Sequence, residues 1–474
     1  MNKTLAMIMA GGKGSRLSPL TCHRAKPSVP FGGRYRIIDF VLSNFVNSGY
    51  RHILVLTQYM SSSLISHLSR NWHLPGIGES IEVVPAQMRM GEHWYRGTAD
   101  SIYQNLNLIR DAKPDQVAIF GGDHIYKFAV DQMEAQHRQT QADLTVAAFP
   151  VPIEDASQFG VIQVDAQNRI IGFQEKPANP SPMPSDPSKA LVSMGNYFFK
   201  AEVLEDALIT DAEDPNSKHD FGHNIIPRLV NAGADVRIYD FSTNHIPGDP
   251  EDAPSYWRDV GTVDSYFQAN MELRSPLPTL NMYNRSWRIR TAQRDYPPSR
   301  FVKHDAFSNV DVIDSLVCEG SIISCSRLLE SLIGYDCFLH AGAEVTESVF
   351  LSGCDIGAKA RLRRVLLDKN CTIAPGVVMG EDLEADRKRF PFITPGGIIV
   401  LPKGTHVPKE GPIEFAHDMA FLIQRDSALA PQLEQFDGNY KMGIRDRHSH
   451  DSAGPRYQKY GPGALKGGAQ TIER

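Results

Sequence analysis

Three things are scarce in this 474-residue chain: cysteine, runs of positive charge, and long apolar stretches. Of six cysteines, Cys22 stands alone, while Cys318, Cys325, Cys337, Cys354 and Cys371 lie far apart in the last third. No Cys-x-x-Cys pair occurs, which argues against a zinc site, and a chain of this size needs no disulfide framework. Cys337 and His340 form one isolated Cys-x-x-His pair, read as buried packing rather than ligation. The 49 Lys+Arg against 55 Asp+Glu give a formal charge of −6 without any basic run, so no nucleic-acid partner is expected. No segment approaches the roughly 18 apolar residues of a membrane span. The opening residues carry one Lys and an apolar run below the roughly 7–15 residues of a signal h-region, and that run leads into a glycine loop. The expectation is a cytoplasmic protein with no membrane partner.

What is present is an α/β pattern. From Leu5 to about Phe267, short apolar runs alternate with amphipathic stretches, as in a Rossmann-like domain with a mostly parallel sheet. Leu5–Met9, Ile53–Thr57, Val117–Phe120 and Leu144–Phe149 read as buried strands. Ile37, Val41 and Phe45 recur every four residues before Gly49, predicting a helix over Arg36–Ser48. Ile102, Leu106 and Ile109 mark another, with Thr98 or Asp100 placed to cap it. After Arg274 prolines punctuate a linker, and an aliphatic period of six begins: Ile333, Leu339, Val345 and Leu351, then Ile356 and Leu362, then Leu367, Ile373 and Met379. That period fits neither helix nor hairpin sheet; it matches the hexapeptide repeat of a parallel β-helix. The expected domains are 1–275 (catalytic), 276–300 (linker), 301–408 (β-helix) and 409–474 (a polar, mobile tail containing His448 and His450).

Three local features carry chemistry. Gly11, Gly12 and Gly14, followed by Arg16, come directly after the first strand, and glycines there let backbone N–H groups approach phosphate oxygens. The loop matches neither a Walker A motif nor a dinucleotide fingerprint, because Leu17 stands at the third glycine position of the latter. Lys26 in Arg24-Ala25-Lys26-Pro27 brings a second cation. Gly121-Gly122-Asp123-His124 ends a strand where α/β sheets gather ligands; a carboxylate facing phosphates requires an intervening cation, which suggests Mg²⁺. Asp259 is a candidate partner, although 136 positions separate the two acids. Glu175 and Lys176 stand side by side before Pro177, suited to sugar hydroxyls and a sugar phosphate.

Gly11–Leu17, Arg24–Pro27, Trp94–Asp100, Gly122–Lys127, Phe159–Val161, Glu175–Pro177, Ser193–Gly195 and Tyr256–Thr262 occur in this order. Together they resemble the family of bacterial glucose-1-phosphate adenylyltransferases, over roughly Leu5 to Pro402. The resemblance implies a nucleotidyltransferase domain followed by a left-handed parallel β-helix, a homotetramer, and synthesis of ADP-glucose from ATP and glucose 1-phosphate at the first committed step of glycogen synthesis. It also implies roles. The Gly11–Arg16 loop holds the ATP phosphates, with Arg16 and Lys26 stabilising their charge. Gln87, Gly97 and Thr98 contact the nucleotide. Tyr95, Gly160, Glu175, Lys176 and Ser193 contact glucose 1-phosphate, and Asp123 and Asp259 bind Mg²⁺. Arg24, Arg36 and Arg389 match an effector cluster for a sugar phosphate, AMP or phosphate. His23 stands where activated members often carry lysine, which implies a different effector or a pH-dependent response. The residues alone leave open a pyrophosphorylase for another sugar or base, an acyltransferase on the β-helix, and a silent regulatory subunit.

Overall fold

The computed structural model describes residues 3–442 apart from 75, 77, 304–308, 325, 427–428 and 437–439. In chain order the strands used below are β1 (Thr4–Met9), β2 (His52–Thr57), β3 (Ser80–Pro85), β4 (Gln116–Gly121), β5 (Ile125–Tyr126), β6 (Leu144–Pro152), β7 (Gly160–Val164), β8 (Ile170–Glu175), β9 (Lys189–Lys200), β10 (Val236–Asp240) and β11 (Trp257–Arg258). The helices are α1 (Ile37–Asn47), α2 (Ser62–Asn71), α3 (Thr98–Tyr103), α4 (Leu106–Ala112) and α5 (Val263–Glu272).

Nine of these strands form one sheet, in the order β8-β7-β9-β4-β1-β2-β3, with β6 paired to β9 and β10. The four strands β3, β2, β1 and β4 run parallel, and antiparallel β9 then joins them to the second half. From β1 the chain first builds outward through β2 and β3, then returns to place β4 on the other side. The switch point therefore lies between the carboxyl ends of β1 and β4, where a ligand crevice opens. The runs read as buried strands are buried because both faces are covered, by α1 and α2 residues on one side and α3 and α4 residues on the other.

Helix α1 forms as its spacing predicts, with Ile37, Phe40, Val41 and Phe45 fully buried. Its Asp39 is wholly buried and collects four donors: Arg36 N (2.8 Å), His67 Nε2 (2.6 Å), Trp72 Nε1 (2.9 Å) and Thr291 Oγ1 (2.6 Å). One carboxylate thus ties α1 to α2 and to the linker. The expected helix around Ile102 is instead two, α3 and α4, broken at Gln104-Asn105. Neither Thr98 nor Asp100 caps it by side chain. The His219 carbonyl accepts from Ala99 N (2.9 Å) and Asp100 N (3.3 Å), a long-range cap that local sequence could not reveal.

The second domain is a parallel β-helix, three sheets of two- and three-residue strands. Val345 pairs with Leu362, 17 positions on, and Leu339 with Ile356. Phe350, not Leu351, pairs with Ile333 and Leu367. The repeat is therefore six, six, five, and the slip in the aliphatic period is the short third side of every coil. Between Met379 and Ile399 the coil is interrupted by an insertion that contains a helix, Leu383–Arg387. Cys337, Cys354 and Cys371 recur at that same 17-residue step and are buried, their thiols donating to backbone carbonyls. Of the other cysteines, Cys22 is buried and Cys325 lies outside the described residues.

The expectation of a mobile tail from residue 409 is corrected for the described part. Ile413–Phe415 pairs antiparallel with the last coil, and helices His417–Arg425 and Ala430–Glu434 follow. Met419, Ile423, Leu429 and Leu433 are buried in a core shared by both domains. The six-residue period does end there, but apolar residues at helical spacing replace it. His448, His450 and the glycine-rich end lie outside the described residues. No helix among the described residues is long and apolar enough to cross a membrane.

Candidate active site

The crevice at the switch point is a cavity of about 340 Å³ lined by Gly11, Gly12, Gln58, Tyr95, Gly97, Thr98, Asp123 and Asp220, among others. Gly11 and Gly12 follow β1. Arg16 lies in a single turn of 3-10 helix, Ser15–Leu17, too short to add the helix dipole that a longer helix would supply. Gly97 is required by close packing: a Cβ there would lie 2.2 Å from the His219 carbonyl oxygen. Gln58, at the end of β2, clasps the backbone of Tyr95, accepting from Tyr95 N at 2.7 Å and donating to its carbonyl at 3.2 Å. Gln87 is exposed on the loop after β3 and does not line this cavity.

The two aspartates meet. Strand β5, just after Asp123, pairs antiparallel with β11, just before Asp259, with Tyr126 opposite Trp257 and Ile125 opposite Arg258. This two-residue ribbon brings together acids that sequence could only list as candidates. Between them sits Lys26, whose Nζ donates to Asp259 O (2.7 Å) and Oδ1 (3.0 Å) and pairs with Asp123 Oδ2 (3.2 Å). Burial alone would lower the lysine's pKa, but the two carboxylates outweigh it and raise it. Burial likewise favours protonation of Asp123; Lys26 and His124 overcome it and hold its pKa below the usual carboxylate range. Asp259 is lowered further, burial being opposed by the hydrogen bond from His124 and the charge of Lys26. All three groups are ionised at neutral pH. Arg16 Nη2 stands 3.8 Å from Asp259 Oδ2, and its Nη1 donates to Gln158 Oε1 at 3.3 Å.

His124 joins this group unannounced by the sequence reading. Trp257 Nε1 donates to its Nδ1 at 3.4 Å, so a neutral ring carries its proton on Nε2, which faces Asp259 Oδ1 at 3.3 Å. The donor atoms of Asp123, His124 and Asp259 lie within 4.8 Å of one another. Two converging carboxylates beside an open cavity fit a hard divalent cation that takes its remaining oxygens from water and phosphate. Val260, which follows Asp259, is β-branched yet has φ +43°, a strained conformation fixed by its surroundings. Gly261 comes next, and a Cβ there would lie 2.3 Å from Asp259 Oδ2.

The remaining sugar-side candidates form a neighbouring wall. Gly160 pairs with Glu175 across β7 and β8. Lys176 adopts φ +48°, so the usual alternation fails and its Nζ turns back onto Glu175 Oε1. A Cβ on Gly160 or Gly222 would fall within 2.9 Å of Glu175 Oε2. Ser193, at a bulge in β9, accepts from Gly195 N at 3.2 Å. Two bridges connect this wall to the crevice, and the first reaches the acids through His124. The Trp257 ring lies 5.2 Å from Phe159 and 5.4 Å from His124. Thr98 Oγ1 donates to Asp220 Oδ2 at 2.9 Å, and Asp220 lies beside Gly222. Lys176 itself touches neither aspartate.

Of the three effector candidates, Arg24 donates through Nη2 to both oxygens of Asp368 (2.9 and 2.6 Å), both residues buried, locking the cation loop to the β-helix. Arg36 donates to Ser63 O and Oγ, and burial lowers its pKa to about 10. Lys369, which sequence reasoning missed, is pushed well below its ordinary pKa, first by burial and then by Arg24 and Arg36. Arg389 holds the Pro408 carbonyl and stacks on Phe390, sharing no partner with the other two. His23 lies 3.4 Å from Asp418, yet burial, then Lys403, lower its pKa, with Asp418 opposing.

Residues 5–275 match the family model described as "Nucleotidyl transferase", and residues 297–401 match "GlmU-like, C-terminal hexapeptide". The chain is 50% identical over 408 residues to glucose-1-phosphate adenylyltransferase 1 of Vibrio parahaemolyticus, covering 86% of this chain and all of the relative. The glucose-1-phosphate adenylyltransferases of Aliivibrio fischeri and Anaeromyxobacter sp. are 48% and 47% identical at the same coverage of this chain. Nucleotidyl transferases generally use a divalent metal. Gly261→Ala is expected to displace Asp259, weakening Mn²⁺ binding by about 10- to 100-fold and lowering the thermal midpoint as the buried charges lose their pairing. Titration followed by electron paramagnetic resonance checks this, and wild-type affinity in the variant would show that Asp259 has room to spare.

Proposed function

The chain belongs to the glucose-1-phosphate adenylyltransferase family, and from that membership we propose that the crevice between β1 and β4 holds both substrates of ADP-glucose synthesis around the Lys26–Asp123–Asp259 cluster. The enzyme makes ADP-glucose and pyrophosphate from ATP and glucose 1-phosphate. The observation that carries the assignment of roles is the convergence of two ionised aspartates on one buried lysine beside a glycine-lined cavity.

In this reading Gly11 and Gly12 receive the triphosphate, Gly97 and Thr98 face the nucleoside, and Tyr95 borders both substrates. Gly160, Glu175, Lys176 and Ser193 receive the sugar phosphate. Asp123 and Asp259 hold Mg²⁺, which when bound supplies positive charge to the phosphates. A phosphate oxygen of glucose 1-phosphate attacks the α-phosphorus in line; the new O–P bond forms as the bond to the β-phosphate oxygen breaks, and pyrophosphate leaves. The attacking oxygen is already anionic, so no protein base or nucleophile is needed. Catalysis is alignment and charge neutralisation. Arg16, more than half exposed and able to swing from Gln158, neutralises the departing pyrophosphate. Lys26 is fixed, and it keeps the two acids charged and in place.

Arg24 and Arg36, with Lys369, form the core of a regulatory anion site between the domains in a homotetramer; a sugar phosphate, AMP or phosphate supplies the charge the cluster lacks. Arg389 contributes from the insertion, which it ties to the Pro408 carbonyl. Of the two expectations for His23, its depressed pKa favours a different effector over a neutral-pH switch: the ring gains charge only below its ordinary value of about 6.5.

Three outcomes test the proposal. Asp123→Asn should lower kcat by about 10²-fold or more in a pyrophosphate-release assay, with circular dichroism unchanged, and near-normal kcat removes Asp123 from the mechanism. A panel of sugar 1-phosphates and nucleoside triphosphates in the same assay should favour glucose 1-phosphate with ATP. Any change in the effector response between pH 7 and pH 8.5 should survive in His23→Gln, since Lys369 rather than His23 would carry it, and a pH-dependent response that His23→Gln abolishes would contradict a neutral His23.

A further inference from the structure

Away from the catalytic crevice, the segment from Tyr283 to Gln293 crosses α1 and α2 and encloses a recess of about 720 Å³. Five arginines line it: Arg34, Arg70, Arg285, Arg288 and Arg290. No acidic side chain does. Only Arg34 is paired, with Glu319 at 3.1 Å; among the described residues the other four side chains have no ion pair or hydrogen bond. Several other surface arginines find acids, as Arg110 does Glu205, Arg361 does Glu381 and Arg363 does Glu347, and those that do not among the described residues, such as Arg300 and Arg327, are not gathered on this concavity. In a chain of net charge −6, four unpaired arginines on one concavity are a local excess that solvent and counter-ions alone must screen.

The arginines are presented by a fixed backbone. Asn284 is buried, donating to Pro247 O (2.9 Å) and Asp249 Oδ1 (2.8 Å), and it accepts from Ser286 N and Trp287 N. Trp287 Nε1 donates to Asn44 Oδ1 at 3.1 Å, Asn47 donates to Arg288 O at 3.0 Å, and Arg290 N donates to Ser43 Oγ at 2.8 Å. Trp287 and Ile289 point inward and are buried, so the alternate Arg288 and Arg290 are exposed. The strip is thus pinned to α1 at Trp287, Arg288 and Arg290, and the guanidinium groups project from an anchored backbone. Tyr283, 76% exposed, stands at the rim.

We propose that this recess is a binding site for a compact polyanion carrying two or more phosphoryl groups, separate from the catalytic crevice and from the Arg24–Arg36 cluster. Planar guanidinium forks engage phosphoryl oxygens two at a time, and four of them exceed what one orthophosphate can satisfy. The volume accommodates a larger ion. None of the residues that line it belongs to the substrate machinery described above, so the site stands whether or not that machinery is assigned correctly.

The test is calorimetric titration of the full chain with inorganic tripolyphosphate, with saturating ADP-glucose present to fill the catalytic crevice. Wild type should bind with an affinity that falls as NaCl is raised, and Arg285→Ser/Arg288→Ser should weaken that binding at least tenfold. The variant's thermal midpoint and pyrophosphate release check that it is folded. Arg290→Ser alone should weaken binding by a smaller factor and covers the case in which the double variant fails to fold. Identical isotherms for wild type and variants would overturn the proposal, as would no binding to wild type. A tetra-aspartate peptide that binds wild type more tightly than tripolyphosphate would overturn it too, assigning the recess to an acidic protein segment.

Discussion

A buried ammonium group between two carboxylates is the interaction on which the rest depends. Two aspartates this close repel, and their own burial favours protonation; Lys26, together with His124, reverses both effects. The arrangement costs local backbone freedom on each side. Val260 is held at positive φ, Gly261 leaves no room for a side chain, and the β5–β11 ribbon must register to the residue. If any of these shifted, Asp259 would move away from the lysine, and the desolvated charges would be left partly unpaired, which is strongly destabilising.

The loop that carries Lys26 is also where the two domains hold each other. Ser18 donates to Asp426 Oδ2 at 2.9 Å, His23 meets Asp418, and Arg24 grips Asp368 in the β-helix. One hydrophobic core runs from Leu17 and Phe31 through Tyr266 and Phe267 into the coils and the terminal helices. Lys26 is therefore supported from behind by residues some 340 to 400 positions later in the chain. An anion drawn to Arg24 would compete with Asp368 for the same guanidinium, which gives the proposed regulatory site a direct physical path to Lys26, two residues away.

How much of this was legible depended on how local each cause is. Helix α1 and the buried strands follow from periodicity, and the β-helix follows from its aliphatic ladder. Its slip was visible as a shortened step, but only pairing showed that Phe350 rather than Leu351 faces Ile333. The cap of α3 is a carbonyl 120 residues away, and the meeting of Asp123 with Asp259 rests on a two-residue ribbon, so neither leaves a local trace. Gln58 and Asp220 were missed because isolated polar residues at strand and helix ends carry no pattern. The motif Gly122-Asp123-His124 did contain the signal for His124, and Trp257 beside Asp259 pointed to its partner. The terminal helices were missed because Arg- and His-rich composition further along masked the apolar spacing of Met419, Ile423, Leu429 and Leu433.

The coupling between Lys26 and Asp259 is open to a double-mutant cycle. Single-turnover pyrophosphate release would be measured for wild type, Lys26→Met, Asp259→Asn and the double variant. If the two groups act as one unit, the double variant loses no more than the worse single variant. Losses that multiply would mean that the lysine and the aspartate act independently, and the account built on their contact would be wrong.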